Sequence, residues 1–246
     1  MRKPITHALG MVCATAVIGG TAVLTASAFA VSDPLANLTA NQIAAKTFKD
    51  VASVRSVRIT ASLPITVQGQ QGPTLGFDVA VTQNGCAGSF AFGGAGTVRI
   101  VQIGKKAWEQ PSDQLWKLFG VSSSQMSRYS GKWIVVTTTV SPLGADKSGD
   151  VCSLRGLLNG APGTGWVKGK ITGKHGKREL QLISKKQHTA MEVSDTARPL
   201  IVSMSDVGDG GPALTLHFSD YNAPVALNPP PPADVVTPPN PGPPGL

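Results

Sequence analysis

Val57-Arg58-Ile59-Thr60-Ala61-Ser62-Leu63 alternates apolar and polar residues without a break, and this alternation decides the fold class. Successive side chains of a strand point to opposite faces. Val57, Ile59, Ala61 and Leu63 therefore share one face, and Arg58, Thr60 and Ser62 the other. Period two predicts a half-buried antiparallel strand. The pattern recurs in Leu75, Phe77, Val79 and Val81, set against Gly76, Asp78, Ala80 and Thr82, and Gln68–Pro73 supplies the turn between the two runs. Cys86, Gly88, Phe90 and Phe92 continue it until Gly93-Gly94 breaks it. Thr97–Ile103 restarts it, Gly104-Lys105 turns, and Lys106–Gln110 ends at Pro111. The expectation is a meander of consecutive hairpins.

Helical signals flank this meander. Thr39 and Gln42 make a capping box, in which the hydroxyl accepts from a free helical N–H and the amide reaches back. Leu38 and Ile43 stand at hydrophobic-staple positions, and Ile43, Thr47, Phe48 and Val51 fall on one helical face over residues 39–52. Ser112 is placed to cap a second helix carrying Leu115, Trp116, Leu118 and Phe119, which Gly120 ends. Ser122–Ser130 suggests a further short turn of helix, Lys132–Thr139 a strand, and Asp150–Leu158 a third helix stopped by Asn159-Gly160. Trp166–Thr172 and Glu179–Lys186 flank a His175-Gly176 turn. Strands near Thr189–Ser194, Leu200–Val207 and Ala213–Ser219 follow. The reading is α+β: a strongly curved antiparallel sheet, a half-barrel of about ten to eleven strands, covering a few short helices. Helices inside such a curve leave room for an apolar ligand.

The 246 residues carry 28 glycines and only 15% charged residues, which suits short strands joined by turns. Residues 1–30 read as a secretory signal: Arg2 and Lys3, an uncharged stretch, then Ala28-Phe29-Ala30 as the cleavage site. An uncleaved anchor is the alternative. Gly10 and Val12 before Cys13 do not make a lipobox. The layout is a signal at 1–30, one domain at 31–225 and a Pro-rich disordered tail at 226–246. The protein is expected to be secreted or associated with the cell envelope. Cys86 and Cys152 remain after cleavage, and in an oxidising compartment they read as a disulfide, with a reactive thiol the other option.

No constellation for catalysis stands out. Gly85–Phe90 holds Ser89 without the G-x-S-x-G spacing, and Gly160 and Gly165 lack the lysine of a phosphate loop. His175, His188 and His217 have no partners at general-base or metal spacing. No catalytic, metal or cofactor site is expected, and the chain reads as a non-enzyme, with a hydrolase using Ser89 as a remote rival. The formal charge of +8 concentrates in Lys168, Lys170, Lys174, Lys177, Arg178, Lys185 and Lys186. Lys174, Lys177 and Arg178 are candidates for contact with a lipid headgroup, an anionic membrane surface or the cell wall; edge protection of the sheet is the bland reading. Nucleic acid is not expected, since no aromatic binding platform is evident. Val57, Ile59, Phe77, Val79, Phe90, Phe92, Trp108, Leu115 and Phe119 are the candidate lining of an apolar cavity, and each is equally an ordinary core position.

Several segments together resemble the actinobacterial LppX/LprG-type envelope proteins, whose fold is like that of the lipoprotein carrier LolA. They are the opening helix with Val57–Leu63, then Gly85-Cys86-Ala87-Gly88-Ser89-Phe90 leading into Gly96–Ile103 and the Gly104–Trp108 turn, then Gly131-Lys132-Trp133, and the closing Phe218-Ser219-Asp220-Tyr221-Asn222-Ala223-Pro224-Val225. The resemblance covers most of residues 33–228. It implies a half-barrel over helices with a hydrophobic cavity, and a protein that binds or carries acylated lipids; the expected partner is an acylated lipid or glycolipid, and the chain is expected to be a monomer. Members usually have a lipobox, which this sequence lacks. The alternative reading is a cell-wall-associated interaction scaffold with the Pro-rich tail as a spacer.

Overall fold

The computed structural model describes residues 33–67, 70–136, 152, 154, 164–174, 177–206 and 214–237. The signal at 1–30, the His175-Gly176 turn and the Asp150–Leu158 helix, apart from Cys152 and Leu154, lie outside the described residues.

Helix α1 runs over Ala40–Ala52, with both halves of the Thr39/Gln42 capping box formed. The strands are β1 (Ser56–Val67), β2 (Gln70–Thr82), β3 (Gly85–Phe92), β4 (Thr97–Ile103), β5 (Lys106–Pro111), β6 (Trp133–Val136), β7 (Trp166–Lys174), β8 (Lys177–Ser184), β9 (Thr189–Ser194), β10 (Ile201–Asp206), β11 (Thr215–Ser219) and β12 (Val235–Val236), with α2 (Asp113–Leu118) and α3 (Met126–Tyr129) between β5 and β6. Ser112 stands before α2 without capping it through its side chain. Its hydroxyl accepts instead from the Thr97 amide at 3.0 Å, fastening the helix start to β4.

All described strands form one open sheet in the order β12-β6-β5-β4-β3-β2-β1-β11-β10-β9-β8-β7. This is an open, antiparallel-rich architecture, slightly larger than the expected ten to eleven strands. Two sequence-local meanders, β1–β6 and β7–β11, meet at a single seam. There Arg58, Ile59, Thr60 and Ala61 pair with Ser219, Phe218, His217 and Leu216.

Helices and core lie on one face, here called inner. Ile43, Ala44 and Val51 of α1 pack with Leu180, Leu182, Met191, Val193 and Ile201 of β8–β10. Trp116, Val121 and Tyr129 of the α2–α3 region pack on Ile134 of β6. Between these, Cys86 and Cys152 form a disulfide that brings Leu154 onto Val57, Ile59, Val79 and Val81.

The closing motif has a definite task. Asp220 and Asn222 both take the left-handed conformation, at φ 50° and 63°, where short polar side chains are tolerated best. They turn the chain out of β11 and across the start of β1. The Asn222 amide donates to the Ser56 carbonyl at 2.9 Å, and its Oδ1 accepts from the Arg55 amide at 2.8 Å. The Tyr221 hydroxyl donates to the Ile201 carbonyl at 2.6 Å. Its burial pushes the hydroxyl's titration well above the ordinary tyrosine value.

The expected disordered tail from residue 226 needs correction as far as residue 237. Residues 226–237 run along the outer face of the sheet, and Val235 and Val236 join it as β12, parallel to Trp133 and Ile134 of β6. Lys132 Nζ fixes the end of this strap through Asp234 Oδ1 at 2.7 Å and the Ala233 carbonyl at 3.2 Å. Proline content argued for an extended chain, and the chain is extended; the anchors at its end were invisible in composition.

The disulfide joins residues 66 positions apart. Cross-linking a loop of that length stabilises by about 4 kcal/mol in the chain-entropy picture. The double variant Cys86→Ser/Cys152→Ser should lower the urea midpoint by a corresponding amount. An unchanged midpoint would show that the Leu154 packing closes this region unaided.

Candidate functional site

The register fixes what each face carries. Val57, Ile59, Ala61 and Leu63 stand opposite Val81, Val79, Phe77 and Leu75, and these stand opposite Cys86, Gly88, Phe90 and Phe92. The apolar set thus forms a continuous inner surface over β1–β3. At one end it is filled: Val57 and Val79 are each 1% exposed beneath Leu154 and the disulfide. At the other end the packing opens into an apolar cavity of about 250 Å3. Its walls include Ile59, Leu63, Phe77, Phe90 and Phe92, with Leu214 and Leu216 from the β11 side. The Phe77 and Phe90 rings lie 5.1 Å apart, tilted by 58°, an ordinary offset aromatic pair.

Of the candidate lining residues, Ile59, Phe77, Phe90 and Phe92 surround this cavity, while Val57 and Val79 lie in the filled core beside it. Trp108 is a correction. It pairs with Val101 and Val135, which puts it on the outer face. Its neighbours Ala107 and Glu109 take the inner face, so β5 inverts the usual rule that the large apolar residue points inward. Leu115 and Phe119 are corrections too. Leu115 is buried against the backbone near Gly96, and Phe119 packs edge-on against Trp116 at 6.4 Å, away from the cavity. Ala61, Leu63, Leu75, Leu214 and Leu216 belong to the wall and were not singled out, although the alternation in β1 and β2 already aligned the first three.

The inner face also carries a carboxylate. Glu109 stands opposite Ile100 and Ile134. Burial raises its titration to about 7. Nearby on the same face, Gln102 is 7% exposed and satisfies its amide on the Gly104 carbonyl at 3.1 Å.

The basic hairpin divides by environment. Lys177 is exposed at the end of β8. Arg178 is not free: its guanidinium pairs with Asp195 at 3.1 Å and Asp33 at 3.4 Å. Burial, then the nearby Asp33 charge, holds the Asp195 carboxyl above its ordinary range. Lys168 Nζ donates to the Leu35 and Ala36 carbonyls. These two side chains tie the segment before α1 to β7–β8.

Among the described residues of the site no nucleophile is paired with a base. Ser89 lies on the outer face between Asp78 and Arg99. Hydrogen bonding to Arg58 holds the Asp78 carboxyl below its usual range, which makes it a poor general base. Among the described residues no three His, Cys, Asp or Glu side chains group to hold a metal, and no helix is long and apolar enough to cross a membrane.

No protein-family model matches this chain, and no curated protein matches it. Among crystal structures it is similar to LprF from Mycobacterium bovis, at 13% identity over 77% of this chain and 95% of that one, with a TM-score of 0.49. It is also similar to the lipoprotein LppX from Mycobacterium tuberculosis, at 15% identity over 80% of this chain and 100% of that one, with a TM-score of 0.44. A LolA superfamily protein from Nitrosomonas europaea is similar at 13% identity over 75% of this chain and 93% of that one, with a TM-score of 0.25. The likeness is one of fold alone.

Glu109 gives the inner face a pH signature. Its folded-state titration near 7 lies above the ordinary 4.5. The folded chain therefore holds more protons than the unfolded chain between these values, and stability falls as pH rises through that window. The loss by pH 8 should be about 3 kcal/mol. Glu109→Gln should flatten the dependence in denaturant melts from pH 4.5 to 8; an unaltered slope would place its cause elsewhere.

Proposed function

We propose that this chain is an exported, non-catalytic, monomeric carrier that takes an acyl chain of a lipid or glycolipid into the inner-face cavity. One observation carries this reading: the surface formed by Ile59, Leu63, Phe77, Phe90 and Phe92 is apolar and incompletely filled by the protein's own side chains. Burying hydrocarbon there gains about 0.8 kcal/mol per methylene. At about 250 Å3 the cavity is slightly below the usual ligand-pocket range of roughly 300–1,000 Å3, which suits part of one acyl chain rather than several. Lys174 and Lys177, at the β7–β8 end, are the residues proposed to meet an anionic surface; the compensated Arg178 is left out of that role.

A fluorescent fatty-acyl probe should bind the wild-type protein. Ala61→Trp, which fills the cavity from β1, should weaken that binding at least tenfold with little change in thermal midpoint. Native mass spectrometry of gently purified protein should show co-purified lipid. An empty protein that takes up no probe, or uptake indifferent to Ala61→Trp, would end the reading. Export has its own check: N-terminal sequencing of the secreted form should begin at Val31.

A further inference from the structure

The larger cavity, about 820 Å3, lies on the outer face, across the sheet from the apolar one. Its floor is β1–β4 and its roof is the strap Ala223–Pro231. The gap has a cause in the sequence. Ala80 and Ala87 oppose each other across β2 and β3, with Ser89 close by, so this part of the floor is made of short side chains. The roof does not descend to fill the space. Pro224, Pro229, Pro230 and Pro231 lack an N–H, and no hydrogen bond joins residues 224–230 to the sheet among the described residues. The strap is held at one end by Asn222 and by the Ser56 hydroxyl on the Ala223 carbonyl, and at the other by Lys132 and β12.

The polar groups in this trough form an ordered row. Asp78 stands opposite Ser89, Ser89 opposite Arg99, and Arg99 opposite Gln110. At about 4.8 Å per strand, Asp78 and Arg99 are roughly 10 Å apart along the row. Arg58 grips Asp78 with two bonds, at 2.7 and 2.6 Å, and reaches Asp220 at 3.8 Å. Arg99 donates to Gln110 Oε1 at 3.1 Å and lies over the Trp133 ring at 5.5 Å. Each side chain is oriented by a neighbour, yet each guanidinium retains donors beyond those used. The charges of Arg58 and Arg99 balance those of Asp78 and Asp220, so the trough favours hydrogen bonding over the capture of a net charge.

We propose that this roofed trough binds a neutral oligosaccharide, lying across β1–β4 with its hydroxyls on Asp78, Ser89 and Arg99. A ligand of this class supplies many hydroxyls that both donate and accept, and these match a row that alternates carboxylate, hydroxyl and guanidinium. Its C–H surfaces meet the proline rings of the roof. The volume falls within the ordinary range for ligand sites, roughly 300–1,000 Å3. The site is separate from the acyl-chain cavity and does not rest on that reading.

Maltotriose, cellotriose, chitotriose and mannotriose are titrated into the full chain and followed by calorimetry and by backbone amide NMR. At least one should bind, with shifts concentrated at residues 78–89, 99, 223 and 225–228. Ser89→Leu, which raises the floor, should weaken that binding at least tenfold while leaving thermal midpoint and acyl-probe uptake unchanged. Arg99→Lys keeps the charge but loses the fork of donors, and should weaken it at least fivefold. Failure of all four probes overturns the proposal. So does affinity unaffected by Ser89→Leu, or tighter binding of citrate or inorganic triphosphate, which would mark a charge site.

Discussion

The seam between Arg58–Ala61 of β1 and Leu216–Ser219 of β11 is the constraint on which the molecule depends. Each half of the sheet is a chain of local hairpins, and neither half alone completes a binding surface. The inner cavity needs Leu214 and Leu216 beside the β1–β3 wall. The outer trough needs the strap, which leaves β11 through Asp220 and Asn222 and is pinned to the beginning of β1. Register matters here more than pairing strength. A slip of one residue would turn Ile59 and Ala61 outward and Arg58 and Thr60 into the apolar core. The bonds between Asn222 and Arg55 and Ser56 therefore help fix which face of β1 lines the apolar cavity and which lines the outer trough.

How much of this was legible in the sequence follows from the range of each interaction. Period-two runs and the Thr39/Gln42 box are local, and the elements they predict are present. The β1–β11 seam spans most of the chain and left no local mark. Composition misled in the tail, because a run of prolines looks the same in free solution and laid over a sheet. The difference lies in Lys132 and Asp234, about a hundred positions apart in sequence, meeting at 2.7 Å. The lining was half legible for a related reason. Alternation fixes that Trp108 and Glu109 point to opposite faces, but assigning the faces by hydrophobicity alone reverses β5, where Trp108 faces outward and the carboxylate inward.

Glu109 shows why that inversion matters. An unpaired carboxylate on a desolvated face is costly in its charged form, and a well-packed apolar residue would serve stability better. Its titration near 7 divides the inner face into two regions. Over β1–β3 the surface is apolar throughout, whereas over β4–β6 Gln102 and Glu109 interrupt it. Any hydrocarbon laid on this face would therefore gain most at the β1–β3 end and would lose hydrophobic gain as it extended toward β5, more so with Glu109 ionised.

The strap solves a problem of sheet edges as well as roofing the trough. An open sheet exposes unpaired backbone groups at both ends and invites edge-to-edge association. At the β6 edge, β12 covers those groups by pairing with Trp133 and Ile134. At the β7 edge, the register shifts between Lys168 and Ile171, and Lys170 projects into solvent, two familiar ways of spoiling an edge. The exposed Val167 and Ile171 stand on either side of that shift, so they do not continue one regular apolar edge. To reach β6 from β11 the strap must cross five strands, and a pairing-competent chain would compete for hydrogen bonds along the way. Proline removes that competition, so the segment that closes one edge necessarily leaves a space beneath its middle.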